Sequence, residues 1–143
     1  MSTYLEIGPI TTEIISGMIS DSGDRKNSGG VSIFLGHVRD DIIDGKRVAA
    51  IEYSAYEPMV NQEAEKIKNE IMSEYNDVHS VEIVHSTGVV KAGEISLFVK
   101  VTAGHRKQAI GACSDVVERL KKRLPVWKKE LFEDDTHRWR ENQ

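Results

Sequence analysis

Apolar positions along the chain switch between a helical period and a period of two, and the switches mark out its elements. Tyr4 to Ile7 is a short β-like stretch. Thr11 or Thr12 can cap a helix whose Ile14, Ile15, Met18 and Ile19 share one face. The polar segment Ser20 to Ser28 reads as a loop, closed by Gly29-Gly30. Val31 to Val38 follows as a strand, with Val31, Ile33 and Leu35 on one side and Phe34 on the other. Asp40 to Lys46 is a polar loop with an Asp44-Gly45 turn signal, and Val48 to Tyr56 is the next strand. Pro58 suits a first helical turn, and Val60, Ala64, Ile67, Ile71 and Tyr75 form that helix's apolar stripe.

Val81 and Ile83 mark a further strand, and Lys91 to Glu94 a turn. Ile95, Leu97, Val99 and Val101 then alternate with Ser96, Lys100 and Thr102, which predicts a half-buried strand. The longest helix runs roughly from His105 to Arg123, with Ala109, Cys113, Val116, Val117 and Leu120 inward, and Leu124-Pro125 stops it. Val126 to Phe132 reads as extended, and the tail 133–143 is polar apart from Trp139. Strands interleaved with helices predict a two-layer α/β (α+β) fold, and 1–143 reads as one domain without repeat or linker.

Composition changes this picture in two places. The 143 residues carry a net charge of −4, which argues against a general nucleic-acid binder. The charge is uneven, however: Arg119 to Lys129 holds six basic residues and no acid, and Glu130 to Asp135 holds four acids. One dense basic patch on an acidic protein points to a local anionic ligand. The single cysteine, Cys113, excludes a disulfide framework and reads as a small buried hydrophobe. No signal-peptide pattern and no apolar run approaching 18 residues are present, so the expected location is cytoplasmic, away from membranes.

Four segments can carry chemistry. Arg39 closes the strand segment Phe34-Leu35-Gly36-His37-Val38-Arg39, where a rigid element can aim a guanidinium at a phosphate or carboxylate; an ordinary surface arginine fits the same position. His105 and Arg106 follow Gly104 in the first turn of the longest helix. There free N–H groups favour an anion and a side-chain cation is misplaced unless something negative compensates it. Lys121 and Lys122 suit a helix C-terminus, an explanation that does not reach Lys128 beyond Pro125. Trp127 offers a flat apolar surface, and crowding or burial lowers a lysine's pKa enough for acid–base work. No metal-ligand spacing, nucleophile elbow or nucleotide loop is present, and His79 and His85 read as structural.

Taken in order, GGVSIFLGHVRD, IEYSAYEPM, VEIVHSTGVVKAGEISLFVKVTAGHR and RLKKRLPVWKKE resemble the large-subunit family of molybdopterin synthase, over about Gly29 to Glu130. The resemblance implies an α/β hammerhead-type fold and a homodimer. It implies a small ubiquitin-like sulfur carrier with a C-terminal Gly-Gly thiocarboxylate as partner, giving a heterotetramer. The implied reaction is transfer of two sulfurs to cyclic pyranopterin monophosphate (precursor Z), with no cofactor or metal held by this subunit. Lys121 and Lys128 then look like the catalytic lysines. His37, Val38, Arg39, His105, Arg106, Lys129 and Glu130 look like substrate-binding residues, although His37 stands where some relatives carry a lysine. Phe34 and Trp127 are expected to dock the carrier.

One geometric expectation needs no family. Sixteen residues of continuous helix separate His105 from Lys121 by roughly 24 Å, so one small ligand cannot touch both within one chain. A dimer can join the two clusters across an isologous interface. The rival expectation is a non-catalytic dimeric scaffold that docks a ubiquitin-like protein through the Trp127 region.

Overall fold

The computed structural model describes residues 4–21 and 26–140. Part of the segment 20–28 and the last three residues of the tail therefore lie outside the described residues. The elements run β1 (Leu5–Ile7), α1 (Thr12–Asp21), β2 (Gly30–His37), β3 (Ile42–Ile43), β4 (Lys46–Ala55), α2 (Glu57–Glu74), β5 (Val78–Lys91), β6 (Ile95–Ala103), α3 (Arg106–Arg123), β7 (Val126–Phe132) and β8 (His137–Arg140). The mixed α/β architecture is the one the alternating periods predict.

The strands form an eight-stranded sheet in the order β2-β6-β5-β4-β7-β8, with β1 beside β5 and β3 beside β4. All pairings are antiparallel except β1 with β5. The main core collects Val60, Ala64, Ile67 and Ile71 of α2 and Ala109, Ala112, Cys113, Val116, Val117 and Leu120 of α3 against the strands. A smaller cluster of Ile10, Val84 and Phe98 lies under Ile14, Ile15 and Met18 of α1.

Helix ends follow from local chemistry. Thr11 Oγ1 accepts from the Ile14 N–H at 3.4 Å to cap α1, and proline occupies the first turn of α2. Asp44 and Gly45 both take positive φ (52° and 78°), so the expected polar loop is in fact a tight β3–β4 hairpin.

Two expectations change. β6 is buried along almost its whole length, because α1 covers the side that the alternation marked as polar. Lys100, 1% exposed, is held there by Glu82 and the Met18 carbonyl. A buried lysine with both partners reads in sequence like a solvent-facing one. The apolar side of β2 is likewise open, with Val31 49%, Ile33 36% and Leu35 39% exposed. β2 is an edge strand, and an apolar edge without cover is a surface to be paired.

Candidate functional site

Arg119 and Arg123 are four residues apart and fall on one face of α3, while Lys121, two positions from each, points elsewhere. Arg119 bonds Asp115, Glu70 and Glu74, and Arg123 bonds Glu63 and Glu70, tying α3 to α2. These guanidiniums are balanced by carboxylates, and their pKa values rise further above the ordinary arginine range through those bonds.

Lys121 and Lys128 instead line a cavity of about 170 Å³ at the end of β2. Gly36, His37, Val38, Arg39 and Asp41 form one wall, Ile51 and Tyr53 of β4 with His85 of β5 another, and Ser96 and Leu97 of β6 lie alongside. Leu120, Lys121, Leu124, Val126 and Lys128 come from α3 and β7, and Arg140 enters from β8. The cavity is thus lined by four cations and a single carboxylate, Asp41, itself 3.4 Å from Arg39. Like charges crowd where little neutralises them.

The titrations follow. Burial, then the neighbouring charges of Lys121 and Arg140, brings Lys128 down from 10.5 to about 8. Lys121 is lowered by burial, by Arg140 and by Arg39, with Glu118 acting in the opposite sense. His85 is lowered from 6.5 to about 4, chiefly by burial and further by the two lysines. Its Nδ1 stands 2.8 Å from the Ser86 carbonyl and must donate to it, so the neutral ring leaves Nε2 as a lone-pair acceptor. His85 also meets the Tyr53 ring edge-on at 5.1 Å, and the Tyr53 hydroxyl donates to Ser96 Oγ at 3.0 Å. Burial raises the Tyr53 pKa, so the phenol stays protonated. The cavity is therefore a cationic pocket, open to solvent at Arg39 and Lys121, with a neutral imidazole and a neutral phenol in its buried floor. It can clamp an anion and exchange protons through a lysine poised near neutral pH.

The residues read from sequence divide among several places. His37, Val38, Arg39, Lys121 and Lys128 come together in the cavity. Lys129 faces away from it, against Glu52 at 3.4 Å and over the Trp139 ring at 5.1 Å. Glu130 is 2% exposed and pairs with Arg138 and Arg140 instead of lining the cavity. Trp127 is 52% exposed on the outer face of β7. Phe34 lies at a separate groove of about 300 Å³ with Ile33, Ile110, Cys113 and Val117.

His105 and Arg106 stand at the opposite end of α3, which is continuous between them and Lys121. Asp77 accepts from the His105 N–H at 2.8 Å and lies 3.1 Å from its Nδ1, supplying the negative charge this helix start requires. The Asp77 carboxylate occupies the space a Cβ at position 104 would need, and Gly29 and Gly30 let β2 approach Gly104 and Arg106.

Sequence reasoning missed Asp41, Tyr53, Ser96 and Arg140, and it set His85 aside as structural. For Arg140 the only usable signal was the turn chemistry of Glu133 to Thr136, which folds the tail back as β8 and sets Arg140 opposite Lys128. Among the described residues no His, Cys, Asp or Glu group could hold a metal ion, and no helix is long and apolar enough to cross a membrane.

Comparison with known proteins adds a separate line of support. The family model described as MoaE protein matches residues 9–123. The molybdopterin synthase catalytic subunit of Pyrococcus abyssi is 40% identical over 108 residues, 76% of this chain and 72% of that protein. That of Dictyostelium discoideum is 38% identical over 118 residues, covering 81% and 74%. The Drosophila willistoni protein is 37% identical over 94% of this chain, which spans only 35% of that relative's length. The chain likewise spans 56% of the rat relative's length. Among solved structures, molybdopterin synthase from Staphylococcus aureus superposes with a TM-score of 0.84 at 31% identity, over 99% of this chain and 98% of that one. The complex of subunits 1 and 2 of molybdopterin-converting factor from Helicobacter pylori gives 0.79 over 97% and 91%, a likeness of fold at 23% identity.

Proposed function

The chain belongs to the MoaE protein family, and from that premise we propose that it is the catalytic subunit of a molybdopterin synthase. In this reading it is a sulfurtransferase that moves two sulfurs from a carrier's C-terminal thiocarboxylate to cyclic pyranopterin monophosphate. The observation that carries the reading is the cavity with Arg39, Lys121, Lys128 and Arg140 around a single carboxylate. A thiocarboxylate and a cyclic phosphate are both anions, and cations gathered around a partly buried pocket stabilise negative charge as it moves. Lys128, lowered to about 8, can donate a proton to a departing oxygen and take one back near neutral pH. Lys121 shares the pocket and holds the charge. Arg39 and the His37-Val38 wall orient the phosphate end. A slender Gly-Gly terminus is narrow enough for such a cleft, with Phe34 and Trp127 left outside to meet the body of the carrier.

His105 and Arg106 enter this reading through a second copy of the chain. The outer edge of β2 has no strand beside it among the described residues, and its apolar side chains are open. β2 begins where Gly30 packs on Arg106 and ends at the cavity with His37. Two β2 strands paired antiparallel about a twofold axis would set the partner subunit's Arg106 toward the cavity, making two shared sites.

The assay mixes the protein with a thiocarboxylated Gly-Gly carrier and cyclic pyranopterin monophosphate and measures dithiolene product. Product from the native chain and none from Lys121→Ala is expected. Equal carrier binding with no product from either would leave a docking scaffold in its place. For the shared site, Lys121→Ala and Arg106→Ala are each expected to be inactive. Co-refolded, they should recover about one quarter of the native rate, since half of random dimers are mixed and each keeps one intact site. Failure to complement would overturn the shared site and leave the rest of the proposal standing.

A further inference from the structure

Arg140 stands where its own ladder disfavours a second cation. In the β7–β8 ladder it lies directly opposite Lys128, and like charges facing each other across an antiparallel pair destabilise it. The buried carboxylate of Glu130 divides its two oxygens between arginines, with Arg138 opposite it in register at 3.2 Å and Arg140 on the other side. Arg140 sits 3.5 Å from the other Glu130 oxygen, one third exposed, and lines the cavity. Its charge depresses both Lys121 and Lys128. A local choice that costs stability and faces a pocket marks function.

We infer that Arg140 is an anion-binding residue of the pocket, delivered by the C-terminal strand β8 and seated there by the buried carboxylate of Glu130. The ligand group is a phosphate or a carboxylate-like terminus, to which a guanidinium can present two N–H donors at once. Glu130 is then a positioning residue: it fixes the guanidinium from behind while its own oxygens stay out of the cavity. The anion also relieves the repulsion between Lys128 and Arg140, so ligand binding and closure of the β7–β8 hairpin reinforce each other. The inference rests on the pocket being an anion site, and it is independent of the sulfur chemistry.

Inorganic phosphate is the probe, titrated by calorimetry into the full chain and into Arg140→Ala, Arg140→Lys and Glu130→Gln. Arg140→Ala is expected to weaken phosphate binding about tenfold, Arg140→Lys to restore part of it, and Glu130→Gln to weaken it less than Arg140→Ala. The Lys128 ammonium, followed by NMR of isotopically labelled lysine, should titrate at higher pH in Arg140→Ala, as expected if the guanidinium faces it across the pocket. Native-like phosphate affinity in Arg140→Ala overturns the inference, whatever the Lys128 titration does. No phosphate binding by the native chain itself would overturn the anion site as a whole, and this inference with it.

Discussion

The basic run from Arg119 to Lys129 folds into two regions with opposite electrostatics. On one face of α3, Arg119 and Arg123 meet Glu63, Glu70, Glu74 and Asp115 at 2.7–2.9 Å, and the carboxylate of Glu70 is held below its usual range by both. On the other side, Lys121 and Lys128 share a cavity with Arg39, which pairs with Asp41, and Arg140, which pairs with Glu130, while among the described residues neither lysine has a carboxylate at ion-pair distance. The first region resembles a cross-brace between two helices. The second keeps charge unneutralised, at a cost in stability, where an anionic ligand can supply the missing negative charge. Residues two positions apart in sequence therefore enter different surroundings, one a salt-bridge network and the other the cavity.

The largest effect that would test this contrast is on turnover. Lys128→Ala should lower dithiolene formation by about 10²–10⁴-fold, the range of a positioned proton donor, while circular dichroism and Tm stay native-like or better. A loss smaller than tenfold would remove Lys128 from the chemistry.

Stability should move the other way. The folded pKa of Lys128, about 8, lies below its ordinary 10.5, so between those values the folded protein binds fewer protons than the unfolded chain. The burial penalty is full below about pH 8 and is relieved as pH rises toward 10.5. Lys128→Met should therefore stabilise the protein at pH 7 by about 1–3 kcal/mol, and the gain should shrink at pH 10. Denaturant melts at the two pH values measure it, and a loss at pH 7 would contradict the strained-pocket view.

His85 gives the matching acid limb. Folded near 4 and unfolded near 6.5, it stays neutral in the native state, so its contribution is present above about 6.5 and is lost as pH falls toward 4. His85→Gln should flatten that part of the stability curve by on the order of 1–2 kcal/mol. An unchanged slope would mean that His85 is solvated.

Breaking the brace should cost less and leave chemistry alone. Arg119→Ala is expected to lower stability by about 1 kcal/mol, or a few degrees in Tm, with turnover within twofold of native. A large loss of turnover would show that the two regions are coupled. Lys122, exposed and outside both regions, is the smallest case: Lys122→Ala should change stability by less than about 0.5 kcal/mol and leave turnover native.

How much of this was legible differs by region. Periodicity predicted α2 and α3 with their inward stripes, because a helix that buries one face must repeat near 3.6 residues. It misread β6, where a covering helix and a partnered lysine make alternation look like exposure. Only the family resemblance separated Lys121 from Lys122; Arg39 could be nominated because it follows a strand's end, where geometry aims a side chain, and Lys128 because the helix dipole does not explain it. Arg140 and the setting of His85 could not. The first depends on the register of a hairpin formed by a polar tail, and the second on burial beside two lysines distant in sequence.

The sequence alone determined the order of the helices and main strands without β3 and β8, the concentration of positive charge after residue 118 and the 16-residue separation of His105 from Lys121. These follow from local propensity and chain geometry. Only the tertiary structure decided which cations are neutralised. Pairing depends on what α2 places opposite α3 and on what β8 places opposite β7, and neither neighbour is adjacent in the chain. The same run of lysines and arginines would be a surface patch in one fold. In this one it is half brace and half pocket.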